Sequence, residues 1–148
     1  MQKIKIITIG KLKNSSLKTE IQDLKKRISK LEIIELKEIK EKNIEVLKKK
    51  EYELLKPYIQ DKAKTTYLLW EYGKEYTTQE LNQELKKSYN SIQFIITGAF
   101  GPNEELKNEI SKKLSLSKMT FTHEQALYML VEQIYRHYCF DKNINYTK

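Results

Sequence analysis

Three features of the chain predict an α/β fold, a mostly parallel sheet with helices on both faces. Strand-like and helix-like segments alternate from one end of the sequence to the other. Each strand is followed by a helical segment, so successive strands reach the sheet by crossovers and lie parallel. One segment, "SIQFIIT" (91–97), is nearly all apolar, as a central strand covered on both faces must be.

The elements follow in order. "KIKIITI" (3–9) alternates and then runs apolar into Gly10, the pattern of a buried strand ending in a turn. "SSLKTEIQDLKKRISKL" sets Leu17, Ile21, Leu24, Ile28 and Leu31 at helical spacing behind a serine cap. "LEIIELKEI" (31–39) alternates again as a second strand. "NIEVLKKKEYELLKPYI" offers Ile44, Leu47, Tyr52 and Leu55 as one helix face, ending near Pro57. "TTYLLWEY" is a third strand, closed by a turn at Gly73-Lys74.

Thr77 and Glu80 form a capping box that opens the helix "TQELNQELKKSY". After the fourth strand, "GAFGPNEEL" turns into a helix with Pro102 near its first turn and Glu104 and Glu105 complementing its dipole. "LSLSKMTFTHEQALYMLVEQIYRH" (114–137) then begins with six residues that alternate like a strand and runs into a last helix with no glycine between. Ser115, Ser117, Lys118 and Thr120 crowd that junction. An edge strand would place them there for solubility, and a segment wrapped round a small polar ligand would place them there for binding.

The 148 residues suit one domain, residues 1–148. No apolar run approaches the ~20 residues of a membrane span. A single cysteine, Cys139, fits a reducing compartment, and His123 and His137 have no ligand-spaced partners for zinc. A soluble cytoplasmic protein without a metal is expected. The net charge of +8 is uneven: residues 1–65 carry 18 Lys/Arg against 10 Asp/Glu, and residues 66–148 carry 10 of each. That excess suits either a polyanion footprint or a lysine-rich solvated face.

Ligands of parallel sheets bind at the carboxyl ends of strands. No G-x-G-x-x-G follows the first strand, and no G-K-[ST] or G-x-S-x-G occurs, which excludes the dinucleotide fingerprint, the P-loop and the nucleophile elbow. "ITGAFGP", with Gly98 and Gly101 three apart, is the remaining glycine-bearing turn. The last helix carries apolar residues on more than one face between Ala126 and Phe140, which predicts a second subunit packed against it. Glu132 and Arg136 are spaced for a helix-surface ion pair, while Arg136, close to the tail, also suits a phosphate.

"GKLK", "LLWEYGK", "ELNQEL", "FIITGAFG", "LSLSKMTFTH" followed by "VEQIYRH", and the tail "NYTK" together resemble the SPOUT-class methyltransferases that methylate N3 of a pseudouridine in bacterial 23S ribosomal RNA. The similarity spans essentially the whole chain. It implies a C-terminal trefoil knot, S-adenosylmethionine as methyl donor, and a homodimer. It also implies a cofactor pocket of three loops held by backbone groups, at Leu69, at Thr97, Gly98 and Gly101, and at Leu116, Ser117, Lys118, Met119, Thr120 and Phe121. Arg136 is then an RNA clamp, Tyr146 a stacking or orienting group, and His123 either a packed helix-start residue or a base. Lys148 is a further substrate candidate.

The assembled ribosome is the expected substrate, because one small domain needs a large preformed surface to read. The family's paired glycines, its arginine four residues after the histidine and its Tyr-His tail meet Thr97-Gly98, Leu127 and Tyr146-Thr147 here. Those departures keep open a second reading, a relative that binds ribosome or RNA with weak, absent or retargeted activity.

Overall fold

The computed structural model describes residues 1–146; Thr147 and Lys148 lie outside the described residues. Five strands and five helices alternate. They are β1 (Ile4–Ile9), α1 (Ser15–Arg27), β2 (Leu31–Leu36), α2 (Ile44–Ile59), β3 (Thr65–Glu75), α3 (Thr78–Lys86), β4 (Ile92–Ile96), α4 (Glu104–Glu109), β5 (Lys112–Ser115) and α5 (His123–Lys142). The strands form one sheet in the order β2-β1-β4-β3-β5, and every pairing is parallel. Among the described residues no helix is long and apolar enough to cross a membrane.

The two-residue period of the strands sorts the core into two layers. Ile6 of β1, Phe94 of β4 and Tyr67 of β3 are in register and pack with α1, α3 and α5 on one face. Their neighbours Ile7, Ile95 and Leu68 are also in register and pack with α2 and α4 on the other. All five residues of β4 are buried, as the apolar run required. Gln93 tolerates that position because its Nε2 donates to Tyr58 O and Thr66 Oγ1, each at 2.8 Å.

Several boundaries differ from the sequence expectation, each for a local reason. Asn14, not a serine, caps α1: its Oδ1 accepts from Leu17 N at 3.1 Å. Ile28 turns extended at the helix end and Leu31 begins β2, so helical spacing outlasts the helix. α2 runs through Pro57 to Ile59, because Leu55 and Ile59 are both buried and a proline in the last turn forfeits one bond near solvent. His123 starts α5 behind a second capping box, Thr122 with Gln125, whose T-H-E-Q signature is plain in the sequence.

β3 does not close at Gly73-Lys74. Leu114 of β5 pairs with Leu69 and again with Lys74, so residues 70–73 bulge out between two paired limbs. Gly73 makes this possible, since a Cβ there would stand 2.8 Å from Lys113 C and 2.9 Å from Leu114 N. β5 is also shorter than the alternation suggested, ending at Ser115.

The broad apolar girth of α5 is used within the chain. Leu127, Leu130, Val131 and Ile134 are fully buried, where α5 packs on the sheet and against α1 and α3. A second subunit is therefore not what these residues demand, and Leu130 belongs to the core rather than to an interface. On the outer side of the helix Met129 and Phe140 are exposed apolar residues, with Gln133 and Arg136 half-buried in the strip between them.

Gly73→Ala should force β5 away from β3 and cost about 1–3 kcal/mol, as overpacking does. Calorimetry should show a thermal midpoint lowered by roughly 2–10 °C at this chain length, and an unchanged midpoint would contradict the close approach.

Candidate functional site

The carboxyl ends of β4, β3 and β5 open onto a cleft of about 380 Å³. Three segments build its walls: Leu69–Tyr72 at the bulge within β3, Ile96–Pro102 leaving β4, and residues 116–121 leading from β5 to α5. Of the residues expected to hold a ligand, Leu69, Thr97, Gly98, Gly101, Leu116, Ser117, Met119, Thr120 and Phe121 line it. Lys118 is absent from the lining, although its neighbours on both sides are present.

The polar residues of the 115–120 junction are knitted into the fold. Ser115 Oγ is 3.0 Å from Glu71 O and 2.8 Å from Ser117 O. Ser117 Oγ accepts from Met119 N at 3.0 Å, a local turn bond of the kind serine makes. Thr120 Oγ1 donates to Glu71 Oε2 at 2.8 Å. These side chains clamp the third wall to the first. The amides of Lys118, Thr120, Phe121, Ala99 and Phe100 have no partner in the chain among the described residues, so the walls offer main-chain donors to a ligand.

The β4–α4 wall has glycines for two different reasons. Gly101 has φ +77, and its amide donates to Gly98 O at 3.1 Å, closing a tight turn. Gly98 has no positive φ. A Cβ there would stand 2.6 Å from Glu51 Oε2 and 3.0 Å from Glu51 Oε1, so any larger residue would have to displace that carboxyl. Thr97 has no positive φ either, so threonine fits where the resembling family has a glycine.

Glu51, on α2, was not expected from sequence. It is only 4% exposed, and its Oε2 accepts from Gly98 N at 3.2 Å. Its position beside Tyr52 and Leu55 reads as an ordinary helix residue until the fold brings β4 beneath it. Burial pushes its carboxyl above the usual carboxylate range.

His123 also lines the cleft. Period two turns Thr8 of β1 toward the α5 face, and Thr8 Oγ1 and His123 Nε2 are 2.6 Å apart. The ring also packs over Gly10, whose absent Cβ would be 3.5 Å from Cε1. Burial holds the imidazole below its ordinary pKa, so it is neutral near pH 7 with Nε2 engaged. Glu124, next in the chain, accepts from Lys13 N and from Asn14 N, tying the β1–α1 loop to the start of α5.

Arg136 and Tyr146 are not part of this cleft. Arg136 is thirteen residue steps beyond His123, about 20 Å along α5 at 1.5 Å each. Arg136 Nε donates to Glu132 Oε1 at 2.7 Å, the ion pair its spacing predicted. Its guanidinium lies 4.8 Å from the Tyr146 ring centre, and Tyr146 Oη donates to Glu132 Oε1 at 3.4 Å. Tyr146 reaches this place because Asn143 ends α5 in the left-handed conformation and Ile144 N donates to Cys139 O, folding the tail back. Leu127 is fully buried in the α5 core, so an arginine substituted there in this chain would be taken into an apolar interior. Among the described residues no cluster of His, Cys, Asp or Glu is placed to hold a metal.

A family described as "Predicted SPOUT methyltransferase" matches residues 2–147. The chain belongs to the SPOUT methyltransferases. A relative from Fusobacterium nucleatum named ribosomal RNA large subunit methyltransferase H is 36% identical, over 98% of this chain and 99% of its own. One of the same name from Mycoplasma mobile is 37% identical, over 99% of each. The solved tRNA (m1G37) methyltransferase of Aquifex aeolicus shares the fold with a TM-score of 0.54 and 12% identity, over 91% of this SPOUT chain and 70% of its own.

The fold buries His137 and half-buries His123. His137 Nδ1 is 2.6 Å from Asn82 Oδ1, and burial lowers its pKa as well. In the unfolded chain both protonate near pH 6.5, while in the folded chain they resist, so stability should fall as pH drops from 7 to 5.5. Thermal midpoints across that window should decline for the natural sequence and decline less for His123→Gln; equal slopes would contradict the burial of that ring.

Proposed function

We propose that this chain methylates N3 of a pseudouridine in 23S ribosomal RNA, with S-adenosylmethionine as donor, acting on the assembled ribosome as a homodimer. The observation that carries the reading is the three-walled cleft with free main-chain amides. It is built by nine of the ten residues that the family resemblance assigns to the cofactor, in a chain more than one-third identical to proteins named ribosomal RNA large subunit methyltransferase H. We take residues 1–148 as one catalytic domain, and the C-terminal knot implied by the resemblance as part of this reading.

The residues present fit such a donor. Free amides at Ala99, Phe100, Thr120 and Phe121 suit the edge of a purine and the hydroxyls of a ribose. The open side of Gly101, where an added Cβ would meet nothing within 4 Å, lets a ligand approach backbone closely. S-adenosylmethionine supplies an electrophilic methyl group on a positively charged sulfur. The tasks left to the protein are to hold the base in line, exclude water and let a ring nitrogen lose its proton. Exposed Tyr72, Phe100 and Met119 border the cleft and suit contact with an unstacked base.

His123 is a packing and orienting group in this reading, since Nε2 is engaged by Thr8. Arg136 and Tyr146 serve as the RNA clamp and stacking group. Their separation from His123 along α5 favours action at the partner subunit's cleft, with the outer strip of α5 at the two-fold contact. The 18 cations of residues 1–65 add sequence-independent phosphate attraction.

Two outcomes are expected. Calorimetric titration should show S-adenosylhomocysteine binding to the natural protein, and Gly98→Val should weaken it at least tenfold by driving a branched side chain into Glu51; absence of binding at millimolar ligand would overturn the cofactor assignment. Arg136→Ala should lower methyl transfer to ribosomes, read by mass mapping of the RNA, at least tenfold while ligand affinity stays within twofold. Equal transfer would remove Arg136 from the substrate site.

A further inference from the structure

Glu51 is the most anomalous group in the molecule outside the roles already given. Its carboxyl is buried against the backbone of Gly98, and one oxygen, Oε1, has no hydrogen-bond partner. Native folds rarely leave a buried carboxyl oxygen unpaired, and a glutamine could accept the same Gly98 N–H without a buried charge. The charge therefore does nothing for the fold that a neutral amide would not do. No ion pair to Glu51 occurs among the described residues; the cation whose charge it feels is Lys48, one turn earlier on α2.

The position of this carboxyl gives it a use. It lies directly behind Gly98, a wall residue of the cleft, and no side chain stands between the carboxyl and that wall, because Gly98 has none. The 97–101 turn packed against it holds no titratable residue. The other charged groups it senses are Lys48 and Glu38. Lys48 lines the cleft itself, as does Lys107, but Lys107 is engaged with Glu104 at 2.5 Å and lies over the Trp70 ring.

We infer that Glu51 is the charge-selecting residue of the cleft: its buried carboxylate, held by Gly98 N–H, makes the cleft favour a positively charged ligand over the neutral form of the same ligand. Resting on the methyl-donor reading above, this means that Glu51 favours the sulfonium of S-adenosylmethionine over the thioether of S-adenosylhomocysteine. The two compounds share the nucleoside, the ammonium and the carboxylate, and differ in the methyl group and its charge. Such a preference would hold the donor and loosen the product after transfer. It acts through space past Gly98 and makes Glu51 a positioning residue, not a group that touches the reacting atoms.

Ionisation of Glu51 links this preference to pH. Burial raises its carboxyl pKa, so part of the population is protonated where an ordinary glutamate is not. A cation in the cleft favours the ionised form, and binding it should release that proton. Affinity for the cationic ligand should therefore rise as pH increases through the raised pKa of Glu51, whereas affinity for the neutral ligand should not.

The test is calorimetric titration of the full chain with both compounds, at pH 5.5 and 7.5, for the natural sequence, Glu51→Gln and Glu51→Asp. In Glu51→Gln the ratio of S-adenosylmethionine to S-adenosylhomocysteine affinity should fall roughly tenfold, the order of effect a unit charge exerts across a protein interior of effective dielectric near 20. Its thermal midpoint at pH 7.5 should be equal or higher, because a buried charge has been removed. Glu51→Asp, which keeps the charge, should retain most of the ratio. An unchanged ratio in a folded Glu51→Gln would overturn the inference and leave Glu51 as a brace for Gly98. If Glu51→Gln fails to fold, the natural protein still decides: a ratio that does not rise when the titrations are extended from pH 4.5, the ordinary glutamate value, to 7.5 overturns the inference. Binding of neither compound would instead overturn the methyl-donor reading itself.

Discussion

The structure depends on β4 being buried on both faces. With β1 on one side and β3 on the other, β4 sets the register in which Ile6, Phe94 and Tyr67 face one helical layer and Ile7, Ile95 and Leu68 face the other. Each fully buried aliphatic or aromatic side chain is worth about 1.5–3 kcal/mol, so a one-residue slip would turn both layers inside out. The same register brings the carboxyl ends of β4 and β3 to one level, where the chain must leave the sheet. The cleft is the space between those departures.

From that constraint follows the division of labour along α5. Its first turn belongs to the cleft through His123, its middle to the core through Leu127, Leu130, Val131 and Ile134, and its last turns to the surface through Arg136. One helix thus joins the cleft to a distant cationic and aromatic cluster. The left-handed Asn143 returns Tyr146 to that cluster, which sets its ring among Tyr135, Glu132 and Arg136. The apolar breadth that suggested a partner is spent on α1 and α3 instead. What remains for a partner is a narrower strip.

The glycines illustrate how a sequence feature acquires its cause only in three dimensions. Gly101 serves a turn of positive φ, which local spacing foretells. Gly73 serves the approach of β3 to the backbone of β5, and Gly98 serves the carboxyl of Glu51. In neither of the latter is backbone conformation the reason. Each is a matter of which atoms arrive from elsewhere in the chain.

By itself the sequence determined the α/β class, the order of ten elements, the central place of "SIQFIIT", the capping box at Thr77 and the Glu132–Arg136 pair. These depend on periodicity and on neighbours within one helical turn, and both are local quantities. The family motifs likewise marked segments that line the cleft, with Leu69, Thr97, Gly98 and Gly101, and Leu116, Ser117 and Met119–Phe121, because strand-end segments are contiguous in sequence. Tertiary structure alone decided that Pro57 sits inside α2, that β3 continues past Gly73, that Leu130 is core, and that Glu51 lies behind the cleft. Each of these depends on contacts between residues far apart in the chain. Burial by distant residues changes what a helix end, a strand end or a carboxylate costs, and no local pattern records that cost.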